Sequence, residues 1–313
     1  MAWAEKRGPW YRVRWRDANG EVNTTPDKYR TKKQALAAAE ALDTDQRRGM
    51  FIDPSAGRIN LAEWAAQWRK AHRVAPSTTA KYDHYLDHHI LPAFGEVTLD
   101  GIARLAVKQW AGQLGDRYAP ATVSGIITLL SVLLTAAVEE RMLAINPIQG
   151  LRLNASPHVH RGVKRRTRPV PDGRHVVAIA ERIRSDHGDG PATMVLTAAY
   201  TGMRWGELAG LAPVNCHLED GYLRIDPDVG ALHEVGTQVW LGPPKSSAAA
   251  RRIDLPPFLV DMLSVVIEGG SGDRVFTAAD GGVLRRSNFC RRIWRRPACD
   301  GYPTAEEPVP PIL

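Results

Sequence analysis

Between Asn60 and Pro147, apolar side chains recur at helical spacing, and asparagines and prolines cut the pattern into four segments. Asn60, with Glu63 three residues on, has the form of a helix start. Leu61, Trp64, Ala65 and Trp68 follow at the i, i+3, i+4, i+7 spacing that lines one face. The spacing predicts a second helix over 77–90, stopped near Pro92, and a third from Asp100 carrying Ile102, Val107, Trp110 and Leu114. A fourth is opened by Pro120, where the missing N–H costs nothing, and runs to about Met142, ending before Asn146-Pro147. Its apolar run, 126–138, is interrupted by Thr128, Ser131 and Thr135. That falls short of the roughly 18 residues a membrane span needs, so the segment reads as a buried helix. Across the whole chain, 44% hydrophobic and 24% charged residues describe an ordinary globular composition.

The stretch before this block has a different period. In Tyr11-Arg12-Val13-Arg14-Trp15-Arg16, strict alternation sends Arg12, Arg14 and Arg16 to one face of a strand and Tyr11, Val13 and Trp15 to the other. Asn19-Gly20 predicts a hairpin turn, because both residues tolerate positive φ. An Ala-rich helix is expected over 32–48. The arginine face reads equally as a surface for a DNA groove or as a solvated outer face. The charged, aromatic N-terminus lacks the apolar core of a signal peptide, which points to a cytoplasmic protein.

Beyond the helical block, 152–171 reads as a linker broken by Pro157, Pro169 and Pro171. Arg152, Arg161, Lys164, Arg165, Arg166 and Arg168 lie within it, and no acidic residue does. Such a strap is suited to a phosphate backbone, and a solvated tether is the plainer reading. From Asp172 the pattern is mixed. Helices are expected at 172–184, 191–200, 203–211, 257–268 and 286–296, and strands at 222–226, 237–245 and 251–255. The last helix carries Arg291 and Arg292. A net charge of +7 favours an anionic partner. Cys216, Cys290 and Cys299 are odd in number and lack metal-ligand spacing, so neither structural disulfides nor a zinc site is expected. His84 and His88 share a helix face, but no carboxylate stands at motif spacing, so they read as solvated or capping residues rather than metal ligands.

Two segments carry chemistry. The first is Thr201-Gly202-Met203-Arg204-Trp205-Gly206-Glu207-Leu208-Ala209-Gly210-Leu211. The second is Pro244-Lys245-Ser246-Ser247, followed by Arg251-Arg252-Ile253-Asp254-Leu255-Pro256. In this order they resemble the tyrosine recombinase (phage integrase) family. Tyr82-x-x-x-Leu86 with Ile90-Leu91-Pro92-x-x-Gly95 resembles that family's helical core-binding domain. The stretch from Val275-Phe276 through Arg286-Ser287-Asn288-Phe289 to Trp294 is similar to the approach to its second catalytic box. The resemblance implies a mostly helical, mixed α+β fold in four parts. These are an arm-type DNA-binding domain of three strands and a helix (1–56), a helical core-binding domain (57–151), the basic linker (152–171), and the N-terminal portion of an α/β catalytic domain (172–313).

It also implies a mechanism. A tyrosine hydroxyl attacks a DNA phosphodiester, forms a 3′-phosphotyrosyl link and expels a 5′-hydroxyl, and a second strand reverses the step without cofactor or metal. Arg204 falls on the first catalytic arginine, whose forked donors meet the charge that accumulates on the non-bridging oxygens. Lys245 falls on the hairpin lysine that protonates the leaving oxygen. Glu207, one turn after Arg204, is expected to orient the helix or its arginine. Arg251 and Arg252 read as DNA contacts or strand-solvating residues. The partner implied is double-stranded DNA, with homo-oligomers assembled on it.

The family's remaining groups are a His-x-x-Arg box, another His or Trp, and the nucleophilic tyrosine. No histidine follows His233, and the only tyrosine after Tyr222 is Tyr302, in Gly-Tyr-Pro before the box should begin. The expectation is a C-terminally truncated recombinase with no nucleophile in the chain. The alternative is a DNA-binding remnant that competes with a full integrase.

Overall fold

The computed structural model describes residues 2–16, 20–25, 27–47, 53, 56–153, 172–270 and 272–294. The fold is mixed α+β and mostly helical, and it divides into two compact units, Met1–Lys164 and Arg165–Leu313.

The first unit begins with an antiparallel sheet in the order β1 (Ala2–Arg7), β2 (Trp10–Arg16), β3 (Val22–Thr24). The expected alternation is present: Val13 and Trp15 are buried, whereas Arg12 and Arg14 are half-buried and Arg16 is exposed. Gly20 has φ +85°, as the hairpin reading requires, while Asn19 lies outside the described residues. Helix α1 (Lys32–Arg47) starts with reciprocal bonds between Thr31 and Gln34: each backbone N–H donates to the other's side-chain oxygen, at 3.3 Å. Its small Ala35 and Ala39 let it settle against Val13.

The helical part follows as α2 (Leu61–Ala71), α3 (Pro76–Tyr85), α4 (Leu91–Phe94), α5 (Arg104–Gly115) and α6 (Pro120–Glu139). Asn60 caps α2, its side-chain oxygen accepting from Glu63 N–H at 2.9 Å. Leu61, Trp64, Ala65 and Trp68 are all buried, and the Trp64 indole N–H donates to the Leu133 carbonyl at 2.9 Å. Helix α6 is long and apolar enough by composition to cross a membrane. Its Ile126, Leu129, Leu130, Leu133 and Leu134 are nevertheless packed into this core. Asn146 closes the block by donating to Ser131 and Thr135 on α6 and accepting from Ile148 N–H.

Two boundaries differ from those expected. Pro92 does not end the second helix: a wide turn, Leu86–Ile90, carries the Leu91 N–H back to the Leu86 carbonyl, and the helix continues as α4. Pro92 stands in the first turn of α4, where a missing N–H is tolerated. The third helix starts at Arg104 rather than Asp100, because Leu99–Gly101 forms a separate tight turn and Ile102 leaves it in an extended conformation, buried nonetheless.

The second unit contains α7 (Gly173–His187), α8 (Asp189–Thr201), α9 (Trp205–Ala209), β4 (Cys216–His217), β5 (Tyr222–Arg224), β6 (Ala231–Val235), β7 (Gln238–Gly242), β8 (Arg252–Asp254), α10 (Pro257–Glu268) and α11 (Arg286–Phe289), which runs into a wide turn at Cys290–Trp294. Strands β4, β5 and β8 form an antiparallel sheet, and β6 and β7 a separate hairpin. Strands β4 and β6 were not anticipated; Ala-Leu-His-Glu-Val lacks the alternation that marks a half-buried strand. Ile179, Ile183, Leu196, Leu208, Leu223, Leu259, Leu263 and Phe276 fill the core beneath these elements.

Candidate active site

The box that begins at Thr201 is a turn between two helices, and each of its small or polar residues has a task. Along α8, the Thr197 hydroxyl donates to the Thr193 carbonyl at 2.7 Å, and Thr201 donates in turn to the Thr197 carbonyl. The Thr201 hydroxyl oxygen also lies 3.3 Å from the Met203 N–H, fastening the exit from the helix. Gly202 ends α8 at φ +63°, a left-handed conformation that a side chain disfavours. Arg204 then stands in extended conformation as the cap of α9, its side chain 57% exposed.

An arginine side chain cannot accept a hydrogen bond, so the cap is completed by Glu207. The Arg204 N–H donates to Glu207 Oε2 at 3.1 Å, and its guanidinium donates to Oε1 at 3.0 Å. Arg251 reaches the same carboxylate, 3.1 Å from Oε2, and also donates to the Ala249 carbonyl at 2.9 Å. Glu207 is only 2% exposed. Burial pushes its carboxyl pKa up, but the Arg204 backbone bond and the two guanidinium bonds outweigh this, so the net direction is down. A buried, ionised carboxylate thus sets the positions of two arginines 47 residues apart in sequence, from Arg204 to Arg251.

Lys245 is exposed, and among the described residues its ammonium makes no hydrogen bond or ion pair. Its loop is held from both sides. A His233 ring nitrogen lies 2.9 Å from the Pro243 carbonyl, with the ring stacked on Trp240, and Arg251 grips Ala249 beyond it. Arg252 lies outside the cluster: it pairs with Asp254 at 2.8 Å and covers the Tyr222 ring at 3.9 Å. Arg291 is exposed and donates to Asn288. Arg12, Arg14 and Arg16 are on the N-terminal sheet, in the other unit. Lys164, Arg165, Arg166 and Arg168 lie outside the described residues, as does Tyr302.

Sequence reasoning missed what holds α9 against the hairpin. A Cβ placed on Gly206 would stand 2.7 Å from the Leu232 carbonyl oxygen, and one on Gly210 would stand 2.7 Å from the Leu232 nitrogen. The Gly-x-x-x-Gly spacing was the available signal. Helix propensity alone predicts that Gly206→Ala stabilises the protein by about 1 kcal/mol. The backbone contact predicts the reverse, a loss of about 1–3 kcal/mol. Chemical denaturation decides the sign, and a stabilised variant would show that β6 can yield. Glu234 was also missed. It accepts from the Trp205 indole N–H at 2.9 Å and from the Arg286 N–H at 3.1 Å, joining β6 to the starts of α9 and α11.

Comparison with known proteins finds integrases and a tyrosine recombinase. Residues 60–114 match the model of the phage integrase N-terminal SAM-like domain. The chain is 27% identical over 250 residues to a putative prophage phiRv2 integrase of Mycobacterium tuberculosis, a match covering 77% of this chain and 62% of that protein. It is 23% identical over 302 residues to a tyrosine recombinase XerC-like protein of Caldanaerobacter subterraneus subsp. tengcongensis, covering 88% of this chain and 76% of the relative. These similarities support the tyrosine recombinase (phage integrase) family.

Solved recombinase structures share its fold. The Tn1549 transposon integrase in complex with circular intermediate DNA superposes with a TM-score of 0.66 at 14% identity, covering 82% of each chain. A lambda integrase dimer bound to a COC′ core site gives 0.58 at 17% identity, covering 94% of this chain and 79% of that one. The match thus spans about three-fifths of the mycobacterial relative's length. In this chain the arginine box and the lysine loop meet through Glu207 and Arg251, two residues of which neither is exposed.

Proposed function

We propose that this chain is a DNA-binding polypeptide of a site-specific integrase, in which Arg204 and Lys245 are the first two groups of the strand-cleavage site. The observation that carries the reading is the buried Glu207 carboxylate. It fixes the Arg204 backbone and spends one donor of its fork, leaving the rest of a 57%-exposed guanidinium for a phosphate. Lys245, on an exposed loop strapped at Pro243 and Ala249, would supply the proton for the leaving 5′-oxygen. Arg251, read from sequence as a DNA contact or a strand-solvating residue, acts here as a positioning residue through its bond to Glu207. In the same reading, residues 1–56 form an arm-type DNA-binding domain, 57–151 a core-binding domain, 152–171 a basic linker and 172–313 part of the catalytic domain. The chain works in the cytoplasm on double-stranded attachment sites, where copies of it assemble.

The solved relatives named above were captured with DNA, which supports DNA as the partner. Binding to duplex DNA is expected to weaken steeply between about 50 and 200 mM salt, because each phosphate neutralised by lysine or arginine releases counterions. A titration at the two salts measures this, and equal affinities would contradict the reading.

A further inference from the structure

Among the described strand residues, the outer face of the N-terminal sheet carries one carboxylate, Glu5, among arginines and two tryptophans. Register places Glu5 directly across from Arg12, with Arg14 on the diagonal and Arg7 two residues along its own strand. Glu5 forms ion pairs with both of the latter: its Oε1 is 3.3 Å from Arg14 Nη1, and its Oε2 is 3.6 Å from Arg7 Nε. The opposite face of β2 is the one buried, at Val13 and Trp15, so these charges share the face turned away from that core. Without Glu5, three guanidiniums would crowd neighbouring positions of one pleated surface.

We propose that Glu5 is an internal counter-ion, which DNA phosphates must displace before Arg7 and Arg14 can engage the duplex. It thereby lowers affinity for arbitrary sequence. The proposal rests on the reading that this face binds DNA. Three physical points support it. The pair is only half-buried, so it contributes little to stability and is free to exchange partners. Arginine bonds a phosphate or a guanine edge with the same fork it now turns to Glu5. A carboxylate held within a phosphate-facing surface repels the backbone, and that repulsion is felt on every duplex, cognate or not.

The test measures binding of the full chain to a short duplex of arbitrary sequence at about 50 and 200 mM salt. Glu5→Gln should bind more tightly at the lower salt. For each additional phosphate engaged, the ratio of its affinities at the two salts should grow about 3.5-fold, the value given by a slope near −0.9 per contact. Glu5→Thr, neutral and strand-favouring, should behave the same and keeps the test available if glutamine weakens the sheet. Glu5→Asp keeps the charge and should retain the wild-type slope. Glu268→Gln, which removes an exposed charge at the end of α10, should also retain it.

Arg12→Ala with Arg16→Ala separates the two levels of the argument. If that double variant flattens the slope while both neutral Glu5 variants match wild type, the counter-ion role is overturned and the DNA-binding face survives. If the double variant also matches wild type, the face does not bind DNA and the proposal falls with it. An equal gain from Glu268→Gln would reduce the effect to net charge and overturn the role of Glu5.

Discussion

Replacing Glu207 with alanine is expected to lower the unfolding free energy of the second unit by about 3 kcal/mol, at the lower end of the cost of breaking a buried ion pair. Three bonds go at once: the cap on the Arg204 N–H and the contacts to the Arg204 and Arg251 guanidiniums. The figure stays at the lower end because Arg204 and Arg251 are 57% and 31% exposed, and water replaces part of what they lose. Glu207→Gln keeps the shape and one oxygen for the cap, so it should lose less. Denaturant titration of the full chain, following the transition of this unit, measures both. A Glu207→Ala variant as stable as wild type would show that the carboxylate holds nothing in place.

The effect has a pH signature of definite sign. The folded carboxyl titrates below its unfolded value, so the native state holds fewer protons and stability rises with pH. The contribution is fully present above the ordinary glutamate value of about 4.3 and is lost as pH falls through the lowered folded value. Wild type and Glu207→Ala should therefore converge in acid.

How much of this was legible beforehand depended on whether the information was local. Asn60, Leu61, Trp64 and Trp68 announced α2, because a cap and a 3.6-residue period are complete within one turn or two. Alternation in β2 likewise gave its buried and arginine faces. Pro92 misled because the helix continues through a fifth-neighbour bond from Leu91 to Leu86, which leaves no residue signature. Strand β6 was missed because its identity comes from elsewhere: Leu232 meets the backbone of Gly206 and Gly210, and Glu234 meets Trp205 and Arg286. The site shows the same division. Arg204 and Glu207 are three residues apart and readable as a pair, while Arg251 joins them across 44 residues. Sequence placed Arg251 beside a strand; only the fold turned it toward a buried carboxylate rather than outward, like its neighbour Arg252.

The largest effect expected is on the covalent step. Incubated with a suicide duplex nicked near the cleavage point, the 313-residue chain should form no denaturation-resistant protein–DNA complex. Bond making needs a tyrosine oxygen in line with the phosphorus, and charge on the non-bridging oxygens must be met from more than one side. On the proposed reading, Arg204 and Lys245 supply one guanidinium and one acid. No His-x-x-Arg follows Lys245 in these 313 residues and Tyr302 precedes the place where the resemblance would put that box, so on the proposed reading this polypeptide holds neither the second arginine nor the nucleophile. Groups that act as a unit lose most of their effect when one is missing, so the deficit should be many orders of magnitude rather than a slower rate. A polypeptide that continues this chain through a His-x-x-Arg box and a later tyrosine should give the adduct on the same substrate, and Arg204→Ala in that longer chain should abolish it. An adduct formed by the 313 residues alone would require Tyr302 or another side chain as nucleophile, and would overturn the assignment of Arg204 and Lys245 to an incomplete site.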